Sequence, residues 1–125
     1  MKRILIVEDT ESIRREMREC LAQNPDFEIV EAEDGAKAMA ILSQAQNSNF
    51  DLVLLDYHLP HTNGVDLLRQ LMQAGKPVRC PIVMISTEFE ARGTEIKALN
   101  VLAWIVKPIH RARLYNLVVQ IFDAS

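Results

Sequence analysis

The sequence predicts one doubly wound α/β domain, a parallel sheet of five strands with helices on both faces. Three observations lead there. Short, nearly pure apolar runs alternate with amphipathic stretches, the pattern of successive βαβ units. Several of those runs end on a charged or hydroxyl residue. The chain of 125 residues, 49% apolar and 25% charged, suffices for one core of ordinary size.

The first strand is read at Arg3 to Val7, where Ile4, Leu5, Ile6 and Val7 leave no polar face and so require burial on both sides of the sheet. A helix follows, with Ser12 as its expected N-cap and Ile13, Met17, Cys20 and Leu21 on one face; Asn24-Pro25-Asp26 ends it. The second strand, Phe27 to Ala32, mixes polar with apolar residues, as a strand near the sheet edge does. Asp34-Gly35 then turns the chain into an alanine-rich helix through Ala36, Ala40, Ile41 and Ala45. The third strand, Asp51 to Asp56, is an apolar run that stops on a carboxylate. Tyr57 to Gly64 reads as a loop containing Pro60. The next helix has Val65, Leu68, Leu71 and Met72 inward and is broken by Gly75-Lys76-Pro77. Pro81 to Ser86 is the fourth strand. Glu90 to Leu99 is a charged amphipathic helix closed near Asn100, which tolerates a left-handed C-cap. Val101 to Val106 is the fifth strand and His110 to Phe122 the fifth helix, with Leu114, Leu117, Val118 and Ile121 inward. These elements use up the chain as a single domain, 1–125, with no repeat or low-complexity tract.

Bulk properties exclude several function classes. A formal net charge of -3 gives no electrostatic reason to expect nucleic acid or an anionic membrane as a direct partner. Cys20 and Cys80 lie outside any metal-ligand spacing and read as reduced small hydrophobes of a cytoplasmic protein. The basic start followed by an apolar run breaks at Glu8, too early for a signal peptide or a membrane span.

In an open parallel sheet, ligands bind beyond the carboxyl ends of the strands. Those ends carry Glu8-Asp9, Asp56, Ser86-Thr87 and Lys107-Pro108, so carboxylates, a hydroxyl and an ammonium converge on one rim. Carboxylates packed together repel unless a cation neutralises them, and hard oxygen ligands of this kind suit Mg²⁺. A carboxylate beside such a cation is a possible nucleophile toward a phosphoryl group. Lys107 could then neutralise charge on the transferring oxygens and Ser86 could donate a hydrogen bond to one of them.

The ordered set of an apolar strand ending in Glu8-Asp9, the Asp56 strand with Pro60 and Gly64 downstream, the strand ending in Ser86, and Trp104-Ile105-Val106-Lys107-Pro108 resembles the receiver domains of bacterial two-component signalling, the CheY-like family, over essentially the whole chain. The resemblance implies a flavodoxin-like three-layer sandwich with strand order 2-1-3-4-5. It implies Asp56 as phosphoacceptor, with Lys107 and Ser86 assisting. Mg²⁺, for which Mn²⁺ could substitute, would be held by Asp9, by Asp56, by the main-chain carbonyl of His58, and by Glu8 through a water. It implies a cis bond before Pro108 and a switch pair of Ser86 with Trp104, an aromatic that swings inward. Glu8 stands where an aspartate is common and Thr87 where a small residue is expected. His58, Thr87 and Glu88 fall where side chains tune the phosphorylated state's lifetime. Asn100-Val101 replaces a glycine-alanine turn. His61 and His110 read as solvated or capping residues.

The same resemblance implies a sensor histidine kinase or histidine phosphotransfer protein as donor, docking near Ile13, Arg14 and Met17. It implies a downstream protein target, the flagellar motor switch being one such target in chemotaxis. The output face would draw on Arg92, Glu95, Ile96, Ala103, Trp104, Ile105, Arg113 and Asn116. The expected protein is no enzyme beyond assisting its own phosphorylation and dephosphorylation: a stand-alone regulator in chemotaxis or a phosphorelay, or alternatively a receiver excised from a longer regulator with a DNA-binding or enzymatic output domain. A small phosphohydrolase is disfavoured because no second base stands near Asp56. Cofactor binding of the flavodoxin kind is disfavoured because Glu8-Asp9 would repel a phosphate.

Overall fold

In a computed structural model, which describes residues 1–44, 49–87 and 97–124, the strands are β1 (Lys2–Val7), β2 (Phe27–Ala32), β3 (Leu52–Asp56), β4 (His58–Leu59), β5 (Thr62–Asn63), β6 (Ile82–Ser86) and β7 (Val101–Val106). The helices are α1 (Glu11–Leu21), α2 (Gly35–Ser43), α3 (Gly64–Gln73) and α4 (Arg111–Asp123). Five strands form one sheet in the order β2-β1-β3-β6-β7, every pair parallel. Counting only those strands, this is the predicted 2-1-3-4-5, with the more polar β2 at an edge.

The central strands are apolar through their middles because both faces are covered. Leu5, Val7, Val53, Leu55, Ile82 and Met84 point into the layer with α2 and α3. Ile4, Ile6, Leu52, Leu54, Val83 and Ile85 point into the layer with α1 and α4. The period of two along each strand splits one continuous run between two cores.

Several local expectations shift. The N-cap of α1 is Thr10, with extended backbone, and Ser12 lies inside the first turn. The two short strands β4 and β5 pair antiparallel within the stretch read as plain loop, with His61 at φ 67 at their turn. Pro60 followed by a left-handed residue is the chemistry of a tight reversal. On α3 the inward residues are Val65, Leu67, Leu68 and Leu71, while Met72 is exposed because a 100° step per residue carries it past the buried stripe. Asn63 caps this helix, its Oδ1 accepting from Asp66 N at 2.8 Å, and Asp34 caps α2 by accepting from Lys37 N at 2.7 Å.

Asn100 takes the left-handed conformation at φ 67, and its side chain donates to the Val78 carbonyl at 2.8 Å. The predicted helix from Glu90 to Leu99 lies mostly outside the described residues, with 97–98 helical. Ala45 also lies outside them. The described residues thus show four of the five expected helices. Both cysteines are free. Among the described residues no helix is long and apolar enough to cross a membrane.

Candidate functional site

The parallel register brings the strand ends together. Glu8 continues β1, its N–H donating to the Ala32 carbonyl at the end of β2 at 3.1 Å. Asp56 ends β3, and the next residue, Tyr57, donates its N–H to Ile85 O on β6 at 2.7 Å. Lys107 follows β7 and donates its N–H to Ser86 O at 2.7 Å, which places the lysine above the end of β6. The Lys107–Pro108 peptide is cis. Gly64 lets the chain pass close beneath the site: a Cβ there would lie 2.7 Å from Met84 Sδ and 3.1 Å from the Asp56 carbonyl oxygen.

Glu8, Asp9 and Asp56 each offer a carboxylate oxygen within 4.8 Å of the others. Glu8 is 1% and Asp56 2% exposed, whereas Asp9 stands in solvent. Lys107, its side chain 18% exposed, sets Nζ 3.2 Å from Glu8 Oε1 and 3.4 Å from Asp56 Oδ2. Glu8 Oε2 accepts from Thr10 N at 3.1 Å, but the buried Oε1 has no aligned hydrogen-bond donor and is left with the ion-pair contact alone.

Burial pushes the Glu8 carboxyl up to about 7. The Thr10 N–H opposes that rise, the Asp56 charge adds to it, and Lys107 again opposes it. For Lys107, burial alone would lower the ammonium, but the two carboxylates outweigh it and hold its pKa above the usual value. Among the described residues, one ammonium pairs with two of the three clustered acids.

Ser86 is buried at the end of β6, and its Oγ accepts from the Trp104 indole N–H at 2.8 Å. Trp104 is half-buried against the α2–α3 core, its ring 5.8 Å from that of Tyr57. The His58 imidazole is exposed and lies edge-on to Tyr57 at 4.9 Å, while the His58 N–H donates to Asp56 Oδ1 at 3.3 Å. Thr87 is exposed beside Ser86. Glu88 lies outside the described residues, as do Arg92, Glu95 and Ile96 of the expected output face. Ala103, Trp104, Ile105, Arg113 and Asn116 of that face line one open groove between β7 and α4.

Of the residues expected near a docking partner, Met17 is core and Arg14 is turned inward, donating from Nη1 to the Glu8 carbonyl at 2.8 Å and from Nε to Glu31 Oε1 at 3.2 Å. Glu31 is a site neighbour that sequence reasoning missed, and Arg14, expected at a docking surface, was not foreseen as a partner of the Glu8 main chain. Their signal lay in spacing: Arg14 falls one turn into the helix after the acid pair, and Glu31 sits beside the end of β2.

The buried acids and the lysine stand at the carboxyl edge of the sheet, where open α/β sheets generally bind their ligands. The protein-family model for the response regulator receiver domain matches residues 4–119, and this chain belongs to that family. It is 29% identical over 122 residues to the chemotaxis protein CheY of Pseudomonas aeruginosa, covering 97% of this chain and 96% of that one. Identity to CheY-3 of Vibrio cholerae is 30%, over 97% of this chain and 92% of that protein. A rice two-component response regulator-like protein, PRR37, is 32% identical over 92% of this chain, which spans 15% of that protein's length. The crystallised chemotaxis protein CheY4 of Vibrio cholerae superposes with a TM-score of 0.78 at 28% identity, over 97% and 98% of the two chains. The chain is thus a CheY-like signalling receiver domain.

Proposed function

We propose that this receiver is a Mg²⁺-dependent phosphoacceptor switch whose acceptor is Asp56. The observation that carries the reading is the trio of carboxylates within 4.8 Å, with the Lys107 ammonium 3.4 Å from Asp56. The residues fit a hard divalent cation: the clustered side-chain ligands are all carboxylate oxygens, and the buried Glu8 Oε1 lacks an aligned donor. Asp9 and Asp56 would hold the ion with the His58 carbonyl, and Glu8 would hold it through water. Bound there, Mg²⁺ would supply the positive charge that offsets the acids and the charge on a phosphoryl group.

Asp56 is the nucleophile. Its carboxylate oxygen forms the new bond to phosphorus as the donor's P–N bond, or the P–O bond of an acyl phosphate, breaks and the leaving group departs with the electron pair. Lys107, now paired with Glu8 and Asp56, shifts its ion pair to the phosphoryl oxygens. The Ser86 hydroxyl donates to one of them. Because Ser86 Oγ is the acceptor for Trp104, any movement of Ser86 toward the phosphoryl group must either break that bond or draw the indole with it. Trp104 is on this reading the switch residue, and His58, Thr87 and Glu88 tune how long the modified state lasts.

The donor is a histidine kinase or phosphotransfer protein, and the output is a protein contact on the β7–α4 face. The chain matches a chemotaxis protein over 96% of that protein and a longer rice protein over 15% of it; a stand-alone regulator, with the flagellar motor switch as one target, and the receiver of a larger regulator are the two readings. The test is intact mass after incubation with acetyl phosphate. A single phosphoryl adduct that requires Mg²⁺ and is absent from Asp56→Asn is expected. An adduct persisting in Asp56→Asn would remove Asp56 from the acceptor role.

A further inference from the structure

We infer that Arg14 is a positioning residue for the cation pocket, acting through the main chain of Glu8 from an anchor on Glu31; this rests on the metal-binding reading proposed above. The Arg14 side chain is 15% exposed, unusual for a guanidinium on the first helix of a sheet protein. It does not reach the acid side chains. Its fork divides instead: Nη1 donates to the Glu8 carbonyl at 2.8 Å, while Nε donates to Glu31 Oε1 at 3.2 Å.

Glu31 immediately precedes Ala32, whose carbonyl takes the Glu8 N–H. Both polar atoms of the Glu8 main chain are therefore tied to the last two residues of β2, one directly and one through Arg14. A peptide group turns as a rigid plane, so fixing the Glu8 carbonyl also fixes the departure of the chain into Asp9. Asp9 is exposed, and among the described residues no side-chain hydrogen bond or ion pair orients it otherwise. The consequence is that two adjacent acids, one buried and one in solvent, are presented in a fixed relation by a residue that touches neither carboxylate. Glu31 pairs with the guanidinium and anchors it on β2, a carboxylate that it shares with Arg18.

Arg18 supplies an internal control. Its Nη1 donates to the same Glu31 carboxylate, at 3.0 Å to each oxygen, and it links α1 to β2 as Arg14 does. If Arg14 merely packed helix on sheet, the two arginines would be equivalent.

The experiment is Mg²⁺ titration by calorimetry at pH 8 on the wild type, Arg14→Ala, Arg14→Lys and Arg18→Ala, with urea stability measured alongside. Groups that orient metal ligands are typically worth ~10–100-fold in affinity. Arg14→Ala is expected to weaken Mg²⁺ at least ~10-fold, and Arg14→Lys, which keeps the charge but loses the fork, is expected to stay weakened. Arg18→Ala should remain within ~2-fold of wild type despite its own stability loss, since it leaves the Glu8 contact in place. Should Arg14→Ala fail to fold, Glu31→Gln releases the anchor and is expected to weaken Mg²⁺ while leaving every acid of the pocket intact. Equal affinities in the Arg14 and Arg18 variants, or full rescue by lysine, would overturn the assignment. A wild type that binds no Mg²⁺ would overturn the metal reading itself, which is a separate outcome.

Discussion

Replacing Glu8 by glutamine probes the electrostatics of the pocket without any phosphodonor. Burial holds the Glu8 carboxyl at about 7 against 4.5 for the free side chain, so the folded protein binds this proton more tightly than the unfolded chain does. Below the unfolded value both states carry the proton and no stability is lost. As pH rises through the window between the two values, the unfolded chain ionises first and the folded state loses ground, until above about 7 the full cost is present. At ~1.4 kcal/mol per pKa unit, the gap corresponds to about 3 kcal/mol for a fully buried group. Glu8→Gln keeps the shape and removes the charge, while Lys107 retains Asp56 as partner.

In urea denaturation with a chelator present, metal-free wild type should therefore lose on the order of 2–4 kcal/mol between pH 4.5 and 8 that the variant does not lose. Near pH 8 the variant should be the more stable of the two. Addition of Mg²⁺ should reverse that order, because binding to the folded state stabilises the chain with the stronger site. Parallel stability profiles for the two proteins across this range would refute the reasoning and show that Glu8 is solvated or already neutralised.

Three further outcomes follow from the same structure. Gly64→Ala should destabilise by ~1–3 kcal/mol in urea unfolding, since its Cβ would press on Met84 Sδ and on the Asp56 carbonyl. Ser86→Ala should change Trp104 emission by removing the indole's hydrogen-bond acceptor, and Trp104 is the only tryptophan of the chain, so the signal is unambiguous; an unchanged spectrum would mean that the bond is not populated. Cys20 and Cys80 should both alkylate slowly at pH 8 and rapidly in urea, because burial raises both thiols, that of Cys80 to about 11; fast native-state labelling of Cys20 would show that α1 and α4 open readily.

The sheet was legible because strands buried on both faces must be apolar end to end, and such runs as Ile4 to Val7 and Leu52 to Leu55 have few other uses. The rim was legible for a related reason. A charged residue closing an apolar run, as Asp56 does, can only emerge at the strand's end.

What escaped depended on contacts between elements that sequence spacing does not encode. Ser12 and Thr10 are equally good N-caps by type, and the turn out of β1 decides between them. Met72 continues an apolar stripe on paper but overshoots it by one angular step, and Leu67 takes its place. The β4–β5 hairpin is only two residues deep on each side, too short for any periodicity to reveal. Arg14 looked like a solvent-facing helix residue, as most arginines are, because nothing local announces that a carbonyl on β1 and a carboxylate on β2 both lie within its reach.

The most direct test of the central claim is to trap the phosphorylated protein with borohydride and map the peptides. Reduction of an aspartyl phosphate cleaves the acyl–oxygen bond and converts that residue to homoserine. Homoserine at position 56 alone, formed only when Mg²⁺ and acetyl phosphate are both present, is the predicted result; homoserine at Asp9, at another carboxylate, or at none despite a phosphoryl adduct would contradict it.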